Sequence, residues 1–346
     1  MEWIGNIGLY AIPAFLFLLG VELVGDRLER RREHGADPKT PPRQRVGFSL
    51  RDTLTSLSVY GLGRIARLVE HFITLPIVVL TAALAPISLS ASQWWVWVLA
   101  IVGADLAYYA EHRMHHRIRL FWTAHSVHHS SQHFNVSTAV RLPWLIPGRF
   151  ITSAVYIPMA LAGIPVWLIF LSQAIVLLYQ YPLHTELIDK LPAAVEYVFN
   201  TPSHHRVHHG ANNPYLDKNY GGILIIWDRL FRSYAEETEQ VRYGLTKNID
   251  TFNPVKVNFH EFTSMVADIW RARTWRGRLG YLLAPPGWTE PQDAPVQPGS
   301  APAAGDDGPI THDCPIPPGS GSSEPRFTPP TAPLTVGCRP PDSARG

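Results

Sequence analysis

Four long runs of apolar residues constrain how this chain can fold. They cover residues 7–24, 72–89, 94–109 and 150–181. A helix needs about 20 apolar residues to cross a bilayer, and the last run is roughly twice that length, with Gly163-Ile164-Pro165 near its centre, where a helix would break. The first run has no basic segment before it, so we expect a retained membrane helix rather than a signal peptide. The pattern predicts an N-terminal membrane helix and two helical hairpins, about five spanning helices in all.

The basic segment after the first run sets the expected orientation of these helices. Residues 26–45, DRLERRREHGADPKTPPRQR, are too polar for lipid and too rich in Pro and Gly for a single helix. The positive-inside rule places such a loop in the cytoplasm. Residues 48–70 are amphipathic, and they fit an interfacial helix or an ordinary soluble helix equally well. Because each hairpin returns the chain to the cytoplasmic face, we expect the residues that follow both hairpins to be cytoplasmic.

The composition divides the chain into four segments. We expect a membrane helix in 1–25, a cytoplasmic loop with or without an interfacial helix in 26–70, the two hairpins and a folded cap in 71–284, and a disordered proline-rich tail in 285–346. The predicted fold class is all-α, a polytopic membrane protein with a histidine-rich cytoplasmic cap. The two cysteines, Cys314 and Cys338, both lie in the tail, so a metal in the folded part would take nitrogen or oxygen ligands. A net charge of +2 argues against nucleic-acid binding.

Histidines are concentrated in one part of the sequence. Twelve of the 16 lie between His112 and His209, and most fall in three motifs, HRMHH from His112, HSVHH from His125 and HRVHH from His205. Spacings of three and four residues place such rings on one face of a helix. Neutral imidazole suits Zn, Cu, Fe and Ni, and eight or more rings exceed the needs of one ion, so two ions are the simplest interpretation. The sequence lacks HExxH, GxSxG and glycine-rich phosphate motifs, which favours redox chemistry with dioxygen over hydrolysis.

The three motifs resemble the histidine boxes of the fatty acid hydroxylase and sterol desaturase superfamily. The similar stretches lie within residues 105–254 and are most similar to its alkylglycerol monooxygenase branch: FWTAHSVHHSSQHFNVSTAVR, YQYPLHTE and FNTPSHHRVHHGANNPYLDKNYGGILIIWDRLF. The resemblance implies an O₂-dependent membrane oxidoreductase in which two iron ions hydroxylate a C–H bond of a lipid drawn from the bilayer. It also implies nine metal ligands, which are His112, His116, His125, His128, His129, His184, His205, His208 and His209.

Several other polar residues are candidates for supporting roles. No catalytic residue beyond the metal ligands is predicted, but acids are expected to orient the imidazole N–H groups. These acids are Asp105, Glu186, Asp217 and Asp228. Asp105 ends a membrane helix, where an unpaired carboxylate is costly, although it fits an interfacial charge as well. Three further histidines could either contact a metal or play a supporting role, namely His115, His133 and His204. Three other polar residues could either shape the substrate pocket or cap helices, namely Asn135, Asn219 and Tyr220. Ordinary roles are expected for His34, His71, His260 and His312.

The resemblance also implies a particular reaction. If the hydroxylated carbon bears an ether oxygen, the product is a hemiacetal that separates into a fatty aldehyde and an alcohol. The implied electron donor is tetrahydrobiopterin, or a cytochrome b5 or ferredoxin-type protein. The sequence departs from the pattern of the animal relatives in two ways that bear on the substrate. Arg117 follows the first box, where those relatives have an acidic residue, and the proline-rich tail begins soon after PPGW, where they add membrane helices. The alternatives are a sterol, sphingoid or fatty-acyl hydroxylase or desaturase, or a membrane metal-binding or transport protein without turnover.

Overall fold

The described part of the chain is built from helices. The computed structural model describes residues 7–35, 45–144 and 153–291. Within these ranges there is no β-strand, and β-type pairing is limited to isolated antiparallel bridges, Phe199 with Leu224 and Gly210 with Tyr243. The predicted all-α class is therefore confirmed for these residues.

The helices are numbered in chain order. They are α1 (Ile7–Gly35), α2 (Leu50–Ala82), α3 (Trp94–Arg117), α4 (Arg119–His129), α5 (Val136–Ala139), α6 (Ile157–Leu161), α7 (Val166–Tyr179), α8 (Ala193–Val198), α9 (Pro202–His208), α10 (Ile226–Leu230), α11 (Pro254–Arg271) and α12 (Trp275–Leu283). Single 3₁₀ turns lie at Ser153–Tyr156, Tyr181–Leu183 and Asn213–Tyr215.

The first two helices are longer than the sequence indicated. Helix α1 continues to Gly35, because the charged residues after position 25 are spaced to pair along it, as in the contact of 2.9 Å between Arg30 Nε and Asp26 Oδ2. Helix α2 is continuous through Pro76 and joins the amphipathic segment to the start of the second apolar run. The expected non-helical loop therefore begins later than position 26, and the four-segment division of the chain stays a prediction.

The expected break in the last apolar run lies between α6 and α7. Gly163 has a φ of +80°, a conformation that glycine adopts readily. A Cβ at this position would also collide with the carbonyl oxygen of Ile87, while the N–H of Leu89 donates to the Gly163 carbonyl over 2.9 Å. Glycine is thus required where the chain turns back between the two helices.

The main core lies where α3 packs against α7. Helix α3 presents small residues to this contact, including Ala100 and Ala104, both fully buried, opposite Leu168 and Val176 of α7. A separate cluster contains Phe134, Val207, Tyr215, Val241 and Tyr243. Histidine rings adjoin both cores: the ring of His112 lies 5.1 Å from that of Tyr108, which packs against the first core, and the ring of His184 lies 5.6 Å from that of Phe134 in the second.

One helical stretch among the described residues is long and apolar enough to cross a membrane. It spans Val166–Leu183 and has a mean hydropathy of 1.6, a judgement that rests on length and composition alone. The arrangement of about five spanning helices expected from the sequence remains a prediction.

Candidate metal centre

The structure gathers all nine predicted ligands into two groups. The first cluster contains His112, His116, His125, His129 and His208, and the second contains His128, His184, His205 and His209. Within each cluster, the ring nitrogens that face one another all lie within 4.8 Å. Every ring is buried except that of His125, which is partly exposed.

Helical spacing explains how each motif is divided between the clusters. Residues four apart on a helix share a face, so His125 and His129 of α4 both reach the first cluster, whereas His128 points to the second. In the motif of α9 the division is reversed, since His205 and His209 reach the second cluster and His208 reaches the first. Helices α4 and α9 therefore each contribute to both clusters, which fixes the clusters side by side.

Backbone carbonyls define the tautomers of several rings. His112 Nδ1 lies 2.8 Å from the Tyr220 carbonyl oxygen, His208 Nδ1 lies 3.0 Å from that of Lys218, and His184 Nδ1 lies 2.9 Å from that of Gln180. A carbonyl oxygen only accepts, so each Nδ1 carries the proton and each Nε2 presents a lone pair to its cluster. This is the usual arrangement of a metal-binding histidine.

The nitrogen positions fit bound metal ions. His112 Nε2 and His125 Nε2 are 2.9 Å apart in the first cluster, and His205 Nε2 and His184 Nε2 are 3.0 Å apart in the second. Two nitrogens that each lie about 2.1 Å from one ion at a right angle would be about 3 Å apart. Buried ring nitrogens without a hydrogen-bond partner in the described part of the chain include the Nε2 atoms of His116, His208 and His209. Unpaired buried nitrogens are costly, so a further binding group is expected in both clusters.

The rings are electrically neutral near pH 7. Burial, reinforced by the neighbouring imidazoles, lowers the pKa well below the ordinary histidine value at His112, His125, His128, His129, His205, His208 and His209. Burial also lowers the pKa of His116, and it lowers that of His184 to about 4. Neutral imidazole is the form that binds metal, so the clusters are ready to do so without losing protons.

Asp217 is the predicted acid that contacts a ligand ring. Its Oδ1 lies 3.5 Å from His116 Nδ1, and its Oδ2 accepts from Arg117 Nη1 over 3.2 Å. Asp217 therefore links the first cluster to the arginine that follows the first motif. Both neighbours lower the pKa of Asp217, so this carboxylate stays ionised.

The other three predicted acids bind backbone N–H groups instead of rings. Asp228 accepts from the N–H of Tyr220 over 2.8 Å and from that of Gly221 over 2.7 Å. Asp105 accepts from the N–H of Ile223 and Leu224 over 2.6 and 3.0 Å. Glu186 accepts from the N–H groups of residues 46 and 47, both over 3.0 Å. These acids hold segments beside the clusters, which differs from the direct contact with imidazole that the sequence suggested.

The bond to Gly221 has a direct consequence for the first cluster. The N–H of Gly221 and the carbonyl of Tyr220 belong to the same planar peptide unit. Asp228 binds the N–H side of this unit, and His112 donates to its carbonyl side. Asp228 therefore orients His112 through one peptide plane.

Sequence reasoning missed these carbonyl partners because every residue has a carbonyl group. The available signal was the composition of residues 217–221, since Asp217 and Asn219 have φ values of +58° and +56°, and Asp and Asn tolerate this region. It also missed Phe134, whose ring stacks on His184 at 5.6 Å and on Tyr243 at 4.8 Å. Phe134 thus forms an apolar wall of the second cluster.

Four further histidines of the described residues lie outside both clusters. His115 stacks on His125 at 5.6 Å, His133 Nδ1 lies 3.2 Å from the Gly47 carbonyl, and His204 Nε2 lies 3.1 Å from Glu196 Oε2. His260 Nδ1 lies 2.8 Å from the Val257 carbonyl. The side chains of His34, His71 and His312 lie outside the described residues.

The contacts of Asn135, Asn219 and Tyr220 show which of these residues shape the backbone and which line a cluster. Asn135 caps α5 by accepting from the Ser137 N–H over 3.0 Å, and Asn219 donates to the Ala235 carbonyl over 2.8 Å. The ring of Tyr220 lies 5.2 Å from that of His116. Asn135 and Asn219 thus shape the backbone, while Tyr220 forms a wall of the first cluster.

Comparison with known proteins agrees with this geometry. Residues 97–233, which contain all nine clustered histidines, match the family model for fatty acid hydroxylase. The superfamily resemblance drawn from the histidine motifs is therefore confirmed for this region. No solved structure was found to match the chain.

The chain is also similar to individual characterised proteins. Alkylglycerol monooxygenase of Homo sapiens is 38% identical over 280 residues, which cover 80% of this chain and 59% of that protein. The protein of the same name from Danio rerio is 36% identical over 280 residues, covering 81% and 59% respectively. Ornithine lipid hydroxylase OlsE of Rhizobium tropici is 27% identical over 198 residues, covering 55% and 59%. The chain thus spans 59% of the length of each of these relatives.

Proposed function

We propose that this chain is a lipid oxygenase whose nine clustered histidines hold two iron ions. The observation that supports this most is the pair of buried clusters, in which neutral rings direct lone pairs toward shared points. Nitrogen donors without thiolates suit iron, and the similarity to proteins named monooxygenase and hydroxylase favours iron over a structural zinc. The protein's own contribution is to fix the rings and to keep them out of water.

The proposed reaction balances with an external reductant. Two bound iron ions would supply the activation of dioxygen. One oxygen atom enters a C–H bond of the lipid to give an alcohol, and the other leaves as water with two electrons and two protons. We propose tetrahydrobiopterin, or a cytochrome b5 or ferredoxin-type protein, as the source of the electrons.

We also propose that the enzyme is embedded in the membrane and takes its substrate from the bilayer. Large apolar side chains are exposed along the helices, among them Phe17 of α1, Phe72 and Leu80 of α2 and Trp94 of α3. Exposed apolar surface of this extent is unusual for a soluble monomer. Together with the basic residues of segment 26–45, it supports about five spanning helices with the clusters at the cytoplasmic face.

The proposed substrate class is an alkyl ether lipid. Relatives named alkylglycerol monooxygenase are 36–40% identical to this chain. Hydroxylation of the carbon beside the ether oxygen gives a hemiacetal, which separates into a fatty aldehyde and the free glycerol hydroxyl.

A second candidate is hydroxylation of another acyl lipid. The specific observation in its favour is the similarity to a protein named ornithine lipid hydroxylase, a name that gives a lipid other than an alkylglycerol. The clusters fit this chemistry equally well, because they do not define the lipid.

The function is tested with the full chain purified anaerobically in detergent. Iron is quantified, and aldehyde release and oxygen consumption are measured with an alkylglycerol and its lyso-phospholipid form, each with reduced pterin and with a ferredoxin system. The matched control substrate is an acylglycerol of the same chain length, which has an ester in place of the ether. Oxygen-dependent aldehyde from the ether alone is expected. Hydroxylation of the ester lipid without aldehyde from the ether would replace the first candidate with the second, and an iron-loaded protein inactive on both would refute the proposed function.

A further inference from the structure

A groove lies on the outer side of α3, away from the core contact with α7. It encloses about 400 Å³ and is lined mainly by apolar residues, including Leu106, Ala110, Met114 and Phe231. Arg113 and Arg117 also line it, one helical turn apart. The groove thus combines an apolar floor with two guanidinium groups.

The two arginines are only partly neutralised by their neighbours. Arg117 Nη1 contacts Asp217 Oδ2 at 3.2 Å. Arg113 Nη1 instead donates to the hydroxyl oxygen of Tyr109 over 2.8 Å, and it forms no ion pair with a carboxylate in the described ranges. Each guanidinium has five N–H donors, so both retain donors for a further anion. The pair therefore has positive charge available to a ligand.

An exposed apolar stripe leads along α3 to this pair. The stripe consists of four residues at intervals of four, Val98, Val102, Leu106 and Ala110. The side chains of the first three are 51%, 37% and 38% exposed, and the last two line the groove. From Val98 to Ala110 the helix rises about 18 Å, close to the ~15 Å of hydrocarbon in one leaflet. The stripe matches the length of an acyl chain, and the arginines lie at the C-terminal end of α3, the end that the proposed topology places in the cytoplasm.

We propose that this groove binds one anionic phospholipid from the cytoplasmic leaflet. The phosphate would contact Arg113 and Arg117, and an acyl chain would lie along the stripe from Leu106 to Val98. Two guanidinium groups beside an apolar track distinguish a charged lipid from a zwitterionic one, whose choline would meet the same positive field. This inference rests on the proposed membrane location but not on the reaction, because Asp217 and Tyr109 separate the groove from the first cluster.

The test is lipid binding to the full chain in mild detergent, measured by native mass spectrometry. Phosphatidylglycerol and phosphatidylcholine with identical acyl chains are titrated separately. At ~1 kcal/mol for each of the two arginines near an anionic lipid, we expect roughly 30-fold tighter binding of the first phosphatidylglycerol molecule than of phosphatidylcholine. The double variant Arg113→Gln/Arg117→Gln should remove this preference. Ala110→Trp, which fills the groove without changing charge, should weaken both lipids.

A matched control separates a site from general charge. Arg27 and Arg31 are exposed arginines with the same spacing on α1, and they do not line the groove. Arg27→Gln/Arg31→Gln should keep the full lipid preference, and an equal loss in this variant would refute the site. Water-soluble glycerol phosphate, added at the same concentration, should not displace the lipid, and equal competition would show a phosphate site instead. Oxygenase activity is measured in parallel, so an active enzyme without lipid preference refutes only this inference.

Discussion

Asp228→Asn is expected to weaken metal binding at the first cluster selectively. In the wild type, Asp228 Oδ2 accepts from the Gly221 N–H over 2.7 Å, while Oδ1 accepts from the Tyr220 N–H and the Ser233 hydroxyl. An asparagine of the same shape can keep the Oδ1 contacts, but its amide N–H₂ would face the Gly221 N–H. One hydrogen bond to a charged group is lost, at a cost of about 1.5–3 kcal/mol. The peptide that accepts from His112 is then no longer held, and such changes typically reduce metal affinity 10–100-fold.

The assay is competition with a graded series of iron chelators, with the iron content read after each step. We expect the variant to lose one ion about 10–100-fold more readily than the wild type and to keep the other, because Asp228 contacts no part of the second cluster. Asp250→Asn is the matched control, since Asp250 is exposed and its φ of +45° suits asparagine. A folded Asp228→Asn protein with wild-type resistance to chelation at both ions would refute the peptide-plane coupling.

The other predictions concern the ligands, stability, the tail and topology. His125→Ala should abolish iron-dependent oxygen consumption while His260→Ala should not, and a His125 variant with full iron and turnover would remove that ring from the ligand set. Asp52→Ala should lower the free energy of unfolding by about 3–5 kcal/mol, because it leaves Arg141, 1% exposed, without its 2.8 Å ion pair; a change under 1 kcal/mol on denaturation would contradict this. Truncation after residue 291 should preserve melting temperature and activity, and a large drop in either would show that the tail packs on the domain. A cysteine replacing exposed Glu236, without the native cysteines, should react with an impermeant reagent only after cell lysis, and labelling of intact cells would reverse the orientation.

Much of the site could be predicted from histidine spacing alone. Because residues four apart share a helical face, the pairs His112 with His116 and His205 with His209 had to point together, and the structure places each pair in one cluster. Spacing cannot show which pairs meet across different helices. Long-range packing decides that, and the 2.8 Å hydrogen bond from His112 of α3 to the carbonyl of Tyr220, 108 residues away, is one such contact.

The fold could be predicted at positions where single residues restrict the backbone, and less well where charged segments or distant contacts determine the structure. Gly163 and Pro165 marked the turn between α6 and α7, because proline and a positive φ restrict the backbone strongly. The continuation of α1 to Gly35 was missed, since composition rich in charge indicates solvent exposure and not the absence of a helix. The buried pair of Arg141 and Asp52 was also missed, because their separation of 89 residues leaves no local signal.

The two clusters are supported by different interactions, and the predicted acids Asp217 and Asp228 both act on the first. The first cluster is held by the segment 217–221, which supplies a carboxylate to His116 and carbonyl groups to His112 and His208. Asp228 fixes the backbone of this segment, because its carboxylate accepts hydrogen bonds from the N–H groups of Tyr220 and Gly221 and not from an imidazole ring. In the second cluster, the ring of Phe134 stacks on that of His184, and His184 Nδ1 donates to the Gln180 carbonyl. Hydrogen bonds resist displacement of the rings, so substitutions in residues 217–221 should lower the metal affinity of the first cluster. Packing on an aromatic surface resists the entry of water, so substitutions of Phe134 should increase the exposure of the second cluster to solvent.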